Sequence, residues 1–119
     1  MKEVKDTIEY KGESFPLVFN LNVMETIQDE FKTIEAWGDL TDGKSGEVNI
    51  KAMIFGFWAM LNEGLEIENE ENNTKRVALT KKQVGRMLTE IGMQKVNEKM
   101  NKVVIDSAGE TDEDKAKNE

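Results

Sequence analysis

From Ala52 to Leu61 the chain carries no polar side chain: Ala52-Met53-Ile54-Phe55-Gly56-Phe57-Trp58-Ala59-Met60-Leu61. A helix that is apolar on every side is buried on every side. This segment must therefore form the central element of the fold, or have one half covered by a partner. The run is far short of the ~20 residues that a membrane-crossing helix needs, so no membrane partner is predicted. Asn49 to Asn62 is the predicted helix, with Gly64 as its stop.

The segments around it supply the cover. Thr7 to Tyr10 alternates polar and apolar residues, Lys11-Gly12-Glu13 signals a turn, and Ser14 to Phe19 places Phe15, Leu17 and Phe19 on one face. This is the pattern of a β-hairpin. Pro16 has no N–H to donate and places the second strand at an edge. Asn20 or Asn22 can cap a following helix, in which Val23, Met24, Ile27, Phe31 and Ile34 recur at helical spacing. That helix is predicted to end near Trp37-Gly38, with Gly38 in the left-handed stop position.

Asp39 to Glu47 reads as a loop, and the acidic, asparagine-rich stretch from Glu66 to Lys75 as a mobile one. Thr80-Lys81-Lys82-Gln83 forms a capping box. It opens a third helix with the apolar stripe Val84, Met87, Leu88 and Ile91, which Gly92 ends or kinks. Val96, Met100, Val103 and Val104 define a fourth. From Asp106 onward no apolar residue is larger than alanine, and the segment holds half of the excess negative charge. A disordered tail is expected there. The predicted fold is thus α+β, mainly α: one domain over residues 1–105, with an N-terminal hairpin packed on about four helices, and a flexible acidic tail over 106–119.

The net charge of −8 argues against general binding to nucleic acid or to anionic lipid, and it favours basic protein partners. Cysteine and histidine are both absent. Disulfides, the usual zinc and thiolate sites, and the commonest acid–base catalyst at neutral pH are thereby removed. The start, Met1-Lys2-Glu3-Val4-Lys5-Asp6, has no apolar stretch of the secretory kind. The chain is expected to stay in the compartment where it is made.

Three patterns invite a chemical reading. Gly38 to Ser45 meets the G-x-x-x-x-G-K-S phosphate-loop pattern literally. Such a loop leaves a buried strand and opens directly into a helix. Here an amphipathic helix precedes it, and Gly46-Glu47 follows where a helix would have to start. Glu66, Glu68, Glu70 and Glu71 suggest calcium, but the sixth and twelfth positions counted from Glu66 are Glu71 and Val77, where an EF-hand needs glycine and glutamate. Asp39, Asp42 and Glu47 lie near glycines, where acids commonly cap turns. No enzyme activity, metal or cofactor is predicted.

The order of elements resembles that of the small tail assembly chaperones of long-tailed phages and prophages, especially those of Gram-positive hosts. The likeness covers Ile8 to Val104. It is carried by the hairpin running into Phe19-Asn20-Leu21-Asn22-Val23-Met24-Glu25, by Phe57-Trp58-Ala59-Met60-Leu61-Asn62-Glu63-Gly64, and by Leu79-Thr80-Lys81-Lys82-Gln83-Val84. The resemblance implies a non-enzymatic protein of the bacterial host cytoplasm, absent from the mature virion. Such a protein coats the tape measure protein, helps to recruit tail tube subunits and self-associates into a homo-oligomer. The expected binding surface is the exposed part of the central helix, at Phe55, Trp58, Met60 and Leu61. Two rivals stand beside this reading: a small acidic one-to-one inhibitor or antitoxin-like protein, and a nucleotide-binding enzyme using Gly38 to Ser45.

Overall fold

The computed structural model describes residues 6–44 and 46–118, with side chains through Ser107. Among them the chain forms a two-stranded antiparallel sheet, β1 (Thr7–Tyr10) and β2 (Glu13–Pro16), followed by five helices. These are α1 (Leu21–Phe31), α2 (Ile34–Thr41), α3 (Ile50–Asn72), α4 (Lys81–Ile91) and α5 (Met93–Asn118). The fold is α+β, mainly α, with the hairpin at the N-terminus as the alternation predicts.

Thr7 pairs with Pro16 and Tyr10 with Glu13. Lys11 and Gly12 both take positive φ, 52° and 79°, which is the backbone of a tight hairpin turn that matches strand twist. Phe15, Leu17 and Phe19 are all buried, and Ile8 joins them. This settles the face on which the hairpin meets the helices.

α3 is the axis of the molecule. Met53, Phe57, Met60 and Leu61 have no exposed surface, and each such side chain contributes about 1.5–3 kcal/mol on burial. Its neighbours are β2, α1, α2, α4 and α5. The central helix is thus covered within one chain over most of its surface, with Ile54 and Trp58 half-buried and Ile50 exposed.

Three boundaries differ from the periodic reading. The helix expected from Asn20 to Gly38 is two helices. Asn20 caps the first by accepting from Val23 N–H at 3.1 Å. Lys32 breaks the run at φ 78°, and Thr33 caps the second by accepting from Ala36 N–H at 2.9 Å. Gly38 lies inside α2 and is not a left-handed stop. The break turns Trp37 inward. Its indole Nε1 donates to Ala52 O at 3.0 Å, and its ring fills the notch at Gly56, where a Cβ would come within 2.9 Å of that nitrogen.

Gly64 is not a stop either. α3 runs 23 residues to Asn72, and Gly64 serves to admit the hairpin: a Cβ there would lie 2.6 Å from Pro16 O. The loop expected from Glu66 to Lys75 is therefore helix as far as Asn72. Asn73, in left-handed geometry at φ 59°, turns the chain back.

The tail expected from Asp106 begins with two tethered residues. Asp106 accepts from Lys102 Nζ at 2.9 Å, and Ser107 Oγ donates to Phe19 O at 3.0 Å. From residue 108 the backbone continues α5 to Asn118, where the sequence reading expects a disordered tail.

Candidate functional site

The four side chains expected to form a binding surface do not form one together. Met60 and Leu61 are fully buried and Phe55 is 7% exposed, so all three belong to the core of the single chain. Trp58 is half-buried. The correction follows from helix geometry: residues facing every direction of a central helix find cover when five other elements surround it.

Trp58 nevertheless ends an aromatic seam that reaches the surface. Phe31 meets Phe55 edge-on at 5.4 Å between centroids, and Phe55 meets Trp58 at 5.3 Å. The Lys81 ammonium closes the seam, 4.9 Å from the Phe55 ring and 4.6 Å from the Trp58 ring. Each such cation–ring contact at a surface contributes about 0.5–1 kcal/mol. Lys81 occupies this position because the capping box at Thr80 and Gln83 starts α4 one residue earlier.

Beside the seam lies a shallow open groove between α3 and α4, lined by Ile54, Lys81, Lys82, Gly85, Arg86 and Thr89. Ile54 forms its apolar floor. Gly85 keeps the α4 wall low: a Cβ there would rest 3.6 Å from Ile54 Cδ1. Lys82 and Arg86 are exposed, and neither makes an ion pair among the described residues. The floor is apolar and the rim is cationic.

The net charge hides this rim. From Lys75 to Lys102 the chain has eight basic residues and only Glu90 and Glu98 against them, a net of +6 within a total of −8. Charge counted by segment, and not over the whole chain, is the signal that marks the cationic side from sequence.

The segment that leads into α4 is held by amide side chains of α3. Asn62 Nδ2 donates to Leu79 O at 2.9 Å, and Asn62 Oδ1 accepts from Leu79 N–H at 2.8 Å. Trp58 Nε1 donates to the same carbonyl at 3.0 Å. Further along, Asn69 does for Arg76 what Asn62 does for Leu79, at 2.9 and 3.0 Å. Arg76 then bonds Glu68, Glu13 and Ser14 O, and its guanidinium lies 4.8 Å from the Phe15 ring. The stretch from Asn73 to Thr80, which leads into α4, is thus strapped to α3.

The remaining motifs fall elsewhere. Gly38 to Lys44 is helix end and turn, with helix α2 before it and Lys44 N–H donating to Asp42 Oδ1 at 2.8 Å; Ser45 lies outside the described residues. The acids Glu66, Glu68, Glu70 and Glu71 are on helix and not on a loop. Among the described residues no three acidic side chains gather as a metal site, and no helix is long and apolar enough to cross a membrane. No protein-family model, no curated protein and no solved structure matches the chain.

Proposed function

We propose that this chain is a non-enzymatic binding protein of the tail assembly chaperone kind, acting in the cytoplasm of a bacterial host and absent from the finished virion. In this reading it holds the tape measure protein, a long helical client, and helps to bring tail tube subunits to it. The observation that carries the proposal is the α3–α4 groove. Ile54 floors it beneath a cationic rim, and Lys81 of that rim lies over the Trp58 end of the aromatic seam next to it. Helices dock in grooves of this kind by apolar anchors at i, i+3 and i+4. The resemblance in element order supplies the class of client.

The test is co-expression with a tape measure protein. The expected outcome is that the client stays soluble and co-purifies with the chain. The double variant Ile54→Glu/Arg86→Glu should lose the client while keeping its helical circular dichroism, since both positions lie at the surface of the groove. A tape measure protein that precipitates equally with and without the chain would end this reading.

A further inference from the structure

We propose that the α3–α4 groove receives the acidic run Ile105 to Asp114 of a second copy of this chain, so that copies join head to tail. The proposal rests on the reading of the groove as a protein-binding surface and deepens it: the run of a neighbouring copy fills the groove in the free protein, and a client helix takes its place. Three observations lead to it.

The first is charge. Lys81, Lys82 and Arg86 rim the groove, and Lys82 and Arg86 have no acidic partner among the described residues. Glu110, Asp112, Glu113 and Asp114 follow one another with no basic residue between them. Opposite potentials of this kind steer encounter and set register. The second is an apolar anchor on each side. Ile54 floors the groove, and Ile105, 67% exposed, stands directly before the acidic run. Gly85 leaves the α4 wall without a side chain, so that another backbone can come close.

The third is placement. Ser107 Oγ is bonded to Phe19 O, and Phe19 stacks on Trp37, which fills the notch at Gly56. Lys102 is bonded to Asp6 on the same hairpin side, at 3.0 Å. Gly56 and Ile54 are two residues apart, hence ~200° apart around α3. The base of the acidic run is therefore clipped on the side of α3 away from the groove, and among the residues with described side chains none from α5 lines the groove. Supply from a second copy satisfies both ends. Because groove and run are different patches, the contact is heterologous, and it closes into a ring or grows open-ended according to its rotation.

Light scattering of the full-length chain alone, over a range of concentrations and at low and high salt, tests this. The expected result is a mass that rises with concentration and falls with salt. Lys82→Glu/Arg86→Glu and, separately, Glu110→Lys/Asp112→Lys/Glu113→Lys should each be monomeric at all concentrations. Mixing the two should restore association, because each then offers the charge that the other lacks. A wild type that is monomeric throughout, or a mass that neither variant lowers, overturns the proposal. So does a salt-dependent change of shape with no change of mass, which would place the run on its own chain. Binding of a DNA or RNA oligonucleotide that K82E/R86E abolishes, in a chain that never self-associates, would assign the rim to a polyanion instead. None of these results depends on the tape measure protein, so failure here leaves the client test standing.

Discussion

Between Ile50 and Leu61, α3 is held by burial; between Asn62 and Asn72, beyond the buried Gly64 and Leu65, the same helix is held by what its polar side chains bind. In the first half Met53, Phe57, Met60 and Leu61 are sealed from solvent. In the second half, Glu63 accepts from Asn20 and Asn22 at 2.8 and 3.0 Å, and Asn62 and Asn69 make paired bonds to Leu79 and Arg76. The contrast teaches that a polar stretch can be as ordered as an apolar one when its donors and acceptors find backbone partners. Such amides act as rungs of a ladder between a helix and an extended segment, and they leave no buried side-chain donor or acceptor unsatisfied among the described residues.

Substitutions can break or sharpen that contrast. Met60→Ala removes a fully buried side chain from the first half and should cost about 2–5 kcal/mol, read as a lowered midpoint in urea denaturation. Asn62→Ala leaves Leu79 N–H without its partner and should cost about 1–3 kcal/mol. It should also shift Trp58 fluorescence, since both residues share the Leu79 carbonyl. If the asparagine variant proved harmless, the second half would owe its order to something other than these rungs.

A third variant asks what the first half demands of its neighbours. Lys32 is held at φ 78°, ψ −44° so that α2 can deliver Trp37 to Gly56. Strain of that kind costs about 1–3 kcal/mol, and a glycine there loses about 0.4–1 kcal/mol through the unfolded chain. Lys32→Gly should therefore raise stability by about 1 kcal/mol, seen as a higher thermal midpoint.

The smallest effect is expected at Lys102, where α5 is clipped to the hairpin side. Hydrogen bonds to Asp106, and then to Asp6, hold its ammonium pKa above the ordinary lysine value. A cation raised in this way stabilises the fold fully below the ordinary value of ~10.4, and the gain fades only as pH climbs through the raised one. Lys102→Met should speed amide exchange at Val103 to Ser107 by the same factor at about pH 7 and about pH 9. It should leave the core amides of α3 unchanged. A factor that shrank between those two values would contradict the sign.

Legibility followed the same division. The hairpin, the apolar core of α3 and the Thr80–Gln83 capping box are local patterns, and each lies where its pattern places it, while of the two asparagines that could cap α1 the structure uses Asn20. Gly38 and Gly64 misled because glycine serves both as a helix stop and as a notch. Only the arrival of Pro16 at Gly64 decides between the two there. For the candidate site, Trp58 was legible as an aromatic near the surface. Met60 and Leu61 were misplaced, because the number of elements around α3 is a property of the packing. The groove itself went unread because whole-chain charge averages a basic α4 against acidic neighbours.

The sequence by itself determined the class of fold, the hairpin, the identity of the central helix and the capping box that starts α4. All of these depend on residues within one or two helical turns of each other. The tertiary structure alone decided how far α3 continues, where α1 yields to α2, that Trp58 is half-buried, and that Ile54, Gly85 and Arg86 share a groove. Those outcomes depend on contacts between residues tens of positions apart, and no local periodicity records the free energy of such contacts.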